Sequence, residues 1–543
     1  MVATATAAPP NQPASGHERV ALWVFVAYLV IAGPLVLFWL GRYHWFFGDE
    51  WSFLAERDGA DLHDLFRSHG EHWVTLPVIS YRLLYNAFGL RSYLPYQAVL
   101  VCSHLVCAGL LRVVMRRADV RPWTATIVAS VFVLLGPGEE NIVWAFQIAF
   151  VFALLFGLMH LILSDHDGPV DRRDWLALAA GTAGLMSSGL SLVMVVVVGM
   201  AVFIRRGPKM AAWHTLPLVA LYATWYTLAD PGGIANPYGR SGTPAELLRF
   251  VWSGVPAGLE AVGGHLVIGL ALGAILVVGL ALVVRTDPQW RRVGPSAALF
   301  IGAFLFLAGT AYTRWFVTPT ADSQSRYLYT LVAFSLPLFG VATDMIIRRR
   351  STLAPLVLLP FVLAIVVNLD GFGDRDPWNA PYHRREKQTI LLMAHSDLAR
   401  EVPAEVRPNP WFTVGWLRTQ VDEGAVPDPP AGAEARASSL PILLAAVQID
   451  DAPAGTCDPV EPGTQLLTRA GERVGFAFAD RPDDETPFFL QNTIVLTSVD
   501  QSGGPMGSIA FPEAFGATLR FAVDGLVLEP RAAAPGQGLL LCR

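Results

Sequence analysis

The chain reads as an α-helical, polytopic membrane protein with a β-rich C-terminal domain, and three observations predict it. Of its 543 residues, 53% are hydrophobic and only 15% are charged, whereas soluble domains carry roughly 25% charged residues. Apolar segments long enough to cross a bilayer recur as far as Leu369. Beyond Asp370 the composition shifts to Pro, Gly, Asp and Ala, with short apolar alternations between turn residues. The net charge of −6 gives no basis for a nucleic-acid partner.

Residues 1–18 are rich in Ala, Pro, Thr and Gln and read as a disordered cytoplasmic tail. The first apolar run, at about 20–40, has no small-residue cleavage site after it and reads as an uncleaved anchor. Further apolar segments follow at about 94–115, 123–137, 143–163, 174–189, 190–204, 211–229, 264–284, 294–313, 327–347 and 352–369. That predicts about eleven spans. Basic residues collect in alternate gaps: Arg112, Arg116, Arg117 and Arg121; Arg172 and Arg173; Arg205, Arg206 and Lys209; Arg285, Arg291 and Arg292; Arg348, Arg349 and Arg350. The positive-inside rule then predicts a cytoplasmic N-terminus and an extracytoplasmic C-terminal region in the plasma membrane.

The membrane domain is expected over 19–369, with a first outward loop at 41–93. A helical linker region is expected over 370–435, with amphipathic helices near 379–400 and 410–422. Residues 436–543 are expected to form a small β-sandwich, with strands such as 473–479, 492–499 and 518–523. Cys457 and Cys542 lie near its two ends, and a disulfide there would close the module; two free thiols are the alternative. Cys102 and Cys107 fall within a span and read as packing residues. His104, His160, His214 and His265 are scattered among the spans and read as structural, without a relay.

The outward loops hold the chemistry. Gly48-Asp49-Glu50-Trp51 follows the first span directly, flanked by Trp45, Phe46, Phe47 and Phe53. Two carboxylates wrapped in aromatics fit a catalytic site at the lipid–water boundary; the plain alternative is an interfacial belt with two solvated acids. The same loop carries His69, Glu71, His72 and Trp73, then an amphipathic helix over 75–90 suited to the interface. A second loop holds Glu139, Glu140 and Asn141, a third Asn236, Tyr238 and Arg240, and a fourth runs from Arg314 to Arg326 and Tyr327. A base beside arginines suits transfer from a phosphate-linked donor. The carboxylate takes the acceptor's proton, and guanidinium groups hold the departing phosphate. For any one arginine, snorkelling at the membrane edge is the alternative. His69 and His72, three residues apart around Glu71, offer ligands for a divalent metal if the segment is helical, although Gly70 opposes a regular helix. Otherwise His72 and Trp73 shape an acceptor groove or hydrogen-bond Asp49.

An acidic pair after the first span, in an outward loop with an amphipathic helix, resembles the GT-C superfamily of membrane glycosyltransferases. Gly48-Asp49-Glu50-Trp51-Ser52-Phe53 looks like the Asp-Glu motif of the protein O-mannosyltransferase branch. Ser325-Arg326-Tyr327-Leu328-Tyr329 is similar to an Arg-Tyr motif opening a late span in related bacterial enzymes. The resemblance covers about 20–370 as architecture and implies a GT-C-like fold. It implies a polyprenyl-phosphate sugar as donor, inversion at the anomeric centre and an extracytoplasmic glycan, lipid or protein acceptor. Asp49 would be the base, Arg326 with Arg314 and Tyr327 would contact the phosphate, and Glu50 would assist by position or by holding a metal. His69, His72, Trp73, Glu140, Asn141 and Arg240 would line the acceptor side. A divalent cation, magnesium or manganese, is the one cofactor expected. The oligosaccharyltransferase-type Trp-Trp-Asp signature is absent from the tail. The tail resembles in layout the carbohydrate-binding tails of actinobacterial arabinosyltransferases, which would place the enzyme in cell-wall glycan assembly, and the Ala-, Arg- and Pro-rich usage suits a high-GC bacterium.

Two rival readings remain. His160 and Asp165 have a His-x4-Asp spacing used by some membrane acyltransferases. A lipid-linked-sugar flippase would place charges near mid-bilayer, whereas here they crowd the outer boundary. Nucleotide-binding glycine motifs are absent.

Overall fold

The computed structural model describes residues 16–57, 61–229, 242–286, 290–314, 324–372, 380–409, 411–434, 439–449, 455–479, 493–500, 502, 504–511 and 518–543. In chain order the helices begin with α1 (Gly16–Leu35), α2 (Glu50–Leu54), α3 (Leu62–Phe66), α4 (Thr75–Phe88), α5 (Leu94–Arg117), α6 (Pro122–Val133) and α7 (Glu140–Val143). A long series follows: α8 (Ile148–Ser164), α9 (Arg172–Leu185), α10 (Leu190–Arg206), α11 (Pro208–Ala229), α12 (Pro244–Gly263), α13 (Leu266–Thr286), α14 (Trp290–Arg314), α15 (Ser325–Arg349) and α16 (Ala354–Asp370). Next come α17 (Ala380–Ala394), α18 (Asp397–Glu401), α19 (Val414–Asp422) and α20 (Leu440–Leu443). The chain divides into two units. One comprises Met1–Arg42, Phe66–Leu76 and Gln97–Pro377; the other comprises Tyr43–Leu65, Pro77–Tyr96 and Trp378–Arg543.

In the first unit, seven helical stretches among the described residues are long and apolar enough to cross a membrane: Gly16–Leu40, Leu94–Arg117, Ala145–Ser164, Leu266–Arg285, Arg291–Arg314, Ser325–Arg349 and Ser351–Asp370. By that measure the protein is multi-pass. The other expected spans are helices too, but α6, α9 and α10 have only 12, 14 and 17 residues. The 22-residue α11 is long enough but less apolar. One long helix escaped the sequence reading: α12 occupies 244–263, where a loop was expected to about 249. Its start is fixed by Thr243, whose hydroxyl accepts from the Glu246 N–H while the Glu246 carboxylate accepts from the Thr243 N–H. Pro244 sits at the first helical position, where its missing N–H is harmless.

Ion pairs join all five basic gaps at one end of this unit. Arg117 and Arg205 both pair with Asp165, at 3.8 and 2.6 Å. Arg206 pairs with Asp174 and Arg292 with Asp119, while Arg121 and Arg348 share Asp344 at 2.8 and 2.7 Å. Five of these arginines therefore meet a carboxylate that is itself at most 6% exposed, the pairing a buried charge requires.

The same end overturns one expectation. His160 and His214 are not isolated: their rings meet at 3.3 Å, and His214 Nε2 lies 3.0 Å from the Asp174 carboxylate. His166 reaches the other oxygen of Asp174 at 3.2 Å. Asp174 can serve His214, His166 and Arg206 together because it also closes the N-terminal capping box of α9 with Asp171, which fixes its rotamer. The packing of α8 on α9 and of α11 on α9 brings the two histidines together. His104 stays apart, held by the Tyr329 hydroxyl and the Val133 carbonyl.

The second unit contains an aromatic cluster and the sandwich. Trp51 packs edge-on against Phe412 and Trp416, with ring centroids 5.0 and 6.3 Å away. Arg91 donates to the Gly424 carbonyl at 2.7 and 2.9 Å. Parts of the expected 41–93 loop thus pack with α19 and the turn after it, in a unit that the contiguous boundaries did not foresee. The strands are β1 (Ala446–Ile449), β2 (Cys457–Pro459), β3 (Leu466–Leu467), β4 (Arg473–Phe478), β5 (Ile494–Val499), β6 (Pro505–Phe511), β7 (Thr518–Phe521), β8 (Val527–Ala532) and β9 (Leu539–Cys542). They form antiparallel sheets ordered β1-β7-β4-β9-β2 and β3-β8-β5-β6. Val474, Phe476, Leu519 and Phe521 of one sheet meet Leu466, Ile494, Leu496 and Leu528 of the other in a common core. Cys457 and Cys542 are direct cross-strand partners and are disulfide-bonded.

Candidate active site

The Asp49-Glu50 pair is built on a turn. Gly48 has φ +58°, in the left-handed region that favours glycine, and the Trp51 N–H returns to the Gly48 carbonyl at 3.2 Å. The turn sends the two carboxylates into different surroundings. Glu50 is fully buried and accepts from the Tyr81 hydroxyl at 2.5 Å, the Tyr93 hydroxyl at 3.1 Å and the Phe47 N–H at 3.0 Å. Burial, reinforced by the Glu50 charge, pushes the Tyr81 phenol well above its ordinary pKa, so Tyr81 remains a donor. Asp49 is half-buried and stands at the N-terminus of α2 without capping it.

The first unit gathers another set. His69 and His72 form an isolated antiparallel bridge, exchanging N–H···O bonds of 3.0 and 3.1 Å, so the segment is a tight turn rather than a helix. The Gly189 N–H donates to His72 Nδ1 at 3.3 Å, which leaves the proton of the neutral ring on Nε2. That nitrogen lies 3.8 Å from Glu71 Oε1. Burial pulls the His72 pKa down; Glu71 opposes this, and Arg314 and Arg326 add to it. Burial would raise the Glu71 carboxyl, but the His72 and Arg314 charges outweigh it and hold it below its ordinary range. Arg314, in the last turn of α14, pairs with Glu71. Arg326, in the first turn of α15, pairs with Glu140 at 3.3 Å. Gln147 donates to the same Glu140 oxygen at 2.9 Å, and the Glu140 N–H donates to the Ser325 hydroxyl at 3.2 Å. Arg314 and Arg326, which pair with Glu71 and Glu140, therefore both act electrostatically on one half-buried histidine.

The remaining expected residues fall elsewhere. Trp73 is buried, its indole N–H on the Thr75 hydroxyl at 2.7 Å and its ring stacked on Trp225 at 5.1 Å, which is packing rather than groove lining. Tyr327 is buried against Phe250 and Phe306, with the Arg326 guanidinium 5.7 Å from its ring. Asn141 is fully buried, and neither of its amide atoms has a partner among the described residues. Arg240, Asn236 and Tyr238 lie outside the described residues.

Glu50, His69 and His72 do not fit a metal site. The Glu50 carboxylate already receives three hydrogen bonds, and His72 Nδ1 receives one. Among the described residues, the side-chain groups spaced to hold an ion are Asp61, His63 and Asp64, and His166, Asp171 and Asp174. Sequence reasoning left Glu71 and Gln147 without a role. For Glu71 the signal was its place between two candidate histidines. For Gln147 it was a lone polar residue beside an apolar span.

No protein-family model matches the chain, and no curated protein does. Among solved structures it resembles ArnT from Cupriavidus metallidurans in the apo state, with 12% identity and a TM-score of 0.47 over 79% of this chain and 92% of that one. It also resembles the Archaeoglobus fulgidus oligosaccharyltransferase in complex with Zn and sulfate, with 14% identity and a TM-score of 0.42 over 75% of this chain and 58% of that one. The same enzyme tethered to an acceptor peptide gives 13% and 0.41, over 76% and 60%. Both neighbours are membrane glycosyltransferases of the GT-C superfamily. At these scores the likeness assigns no residue of this chain a role.

Proposed function

We propose that the protein is a membrane glycosyltransferase of GT-C type that moves a sugar from a polyprenyl-phosphate donor to an extracytoplasmic glycan, lipid or protein acceptor. The observation that carries this reading is the pair of arginines, Arg314 and Arg326, placed at the ends of successive helices and paired with Glu71 and Glu140. Such guanidinium groups are held in place yet remain able to exchange a carboxylate for a phosphate. Asp49 is the proposed base. It takes the acceptor hydroxyl's proton as that oxygen bonds to the anomeric carbon, and the bond to the phosphate breaks with inversion. The polyprenyl phosphate departs with the electron pair onto the arginines. Glu50 supports Asp49 by fixing the turn. The outward face of the membrane and a glycan-guiding role for the sandwich belong to the same reading.

The acyltransferase reading loses its pair, because His160 meets His214 while Asp165 meets Arg205 and Arg117. The flippase reading remains the alternative. The deciding test is transfer of radiolabelled sugar from polyprenyl-phosphate donors by the purified protein beside Asp49→Asn. Transfer lost in a folded variant is the expected result. Transfer unaffected by the substitution would remove Asp49 from the mechanism, and sugar-lipid translocation in liposomes without transfer would favour the flippase.

A further inference from the structure

Glu71 has an unfinished coordination shell. One carboxylate oxygen, Oε1, meets Arg314 and faces His72 Nε2 at 3.8 Å. The other, Oε2, is buried and has no hydrogen-bond partner on any other described residue. A carboxylate held in its charged form wants donors on both oxygens, and leaving a buried one without a donor is costly. The groups around it are the right ones for a phosphorylated, hydroxylated molecule: Arg314 and Arg326 for the phosphate, the His72 Nε2–H as a donor, and Glu71 Oε2 as an acceptor.

We propose that Glu71 accepts a hydrogen bond from a hydroxyl of the phosphate-linked sugar, and so makes the site prefer a lipid phosphate that carries a sugar over one that does not. The inference rests on the glycosyltransferase reading. It adds that donor selection occurs beside Arg314, through a carboxylate that also tempers that arginine's charge. A bare lipid phosphate meets a guanidinium already neutralised by Glu71 and gives Oε2 nothing. A sugar-bearing donor supplies the missing hydroxyl. A site built to bond a hydroxyl discriminates strongly against the analogue lacking it, because its buried acceptor is then left unpaired.

The test measures binding of undecaprenyl phosphate and of a panel of undecaprenyl-phosphate-linked hexoses and pentoses to the full chain in nanodiscs. The wild type should prefer at least one sugar-bearing lipid to the bare lipid by about tenfold or more. Glu71→Ala should reduce that preference to within about twofold while keeping or tightening binding of the bare lipid, as Arg314 gains charge. The near-isosteric Glu71→Gln, with thermal stability measured alongside, guards against loss of fold and should show the same direction. Equal weakening of both lipids would mean that Glu71 merely positions Arg314 and would overturn the proposal. A preference unchanged in both variants, or absent from the wild type, would overturn it too while leaving the donor reading intact. Binding of neither lipid by the wild type would overturn the donor reading and this one with it.

Discussion

The Tyr81 hydroxyl donates to the Glu50 carboxylate at 2.5 Å, and Tyr93 donates to the same oxygen at 3.1 Å. Glu50 is thereby an internal post on which the turn carrying Asp49 is mounted. Tyr81→Phe removes a charge-assisted bond from a buried carboxylate and should cost about 1.5–3 kcal/mol. Chemical denaturation would show the loss, and an unchanged midpoint would contradict the role given to Glu50.

The disulfide between Cys457 and Cys542 closes a loop with a sequence separation of 85. The chain-entropy relation gives about 4–5 kcal/mol for a loop of that length. Cys457→Ser with Cys542→Ser should therefore lower the melting temperature of the sandwich markedly. Calorimetry on oxidised and reduced protein reads the same difference without mutation.

His383 lies with its ring centroid 4.4 Å from that of His44. Burial, with His44 beside it, pulls its pKa from 6.5 down to about 3. The unfolded chain then binds more protons than the folded one between those values. Stability from this group is complete above about pH 6.5 and falls as pH drops toward 3, by at most about 1.4 kcal/mol per pH unit. His383→Gln should flatten the denaturation midpoint against pH over that window, and an unchanged slope would locate the sensitivity elsewhere.

Asp174 accepts from Arg206 and His214 and closes the capping box of α9. Asp174→Ala leaves the buried Arg206 without a carboxylate and should destabilise by about 3–5 kcal/mol, read as loss of detergent-solubilised, monodisperse protein. Survival of the variant at wild-type levels would argue against the cluster as an anchor.

Arg326→Lys keeps the charge but loses the planar fork. It should raise the donor KM about ten- to a hundredfold, with a smaller effect on kcat. A change in kcat alone would place Arg326 on the transition state rather than on donor binding.

Much of the framework was legible because it depends on local pattern. Alternation located β4 and β5 to within two residues, and apolar spacing placed amphipathic helices near α17 and α19. The helix α12 was missed because Arg249, Pro256 and Glu260 interrupt its apolar face, although Thr243-x-x-Glu246 marks its start. What the sequence hides is direction and distance. Nothing in Asp49-Glu50 says which carboxylate turns inward, since the answer rests on Tyr81 and Tyr93. The His160–His214 contact joins residues 54 apart, and Glu71 meets Arg314 only because the fold returns there.

Tyr85 bonds Gln420 across 335 residues of chain. During synthesis at roughly 5–20 residues per second, the segment bearing Asp49 would wait about 20–70 s for that partner to emerge. Until then Trp51 lacks the Phe412 and Trp416 rings it packs against. A ribosome-stalled or prematurely terminated product lacking α19 should thus present an exposed, sticky loop to chaperones and proteases. A frameshift late in the gene would silence the acidic pair near its beginning.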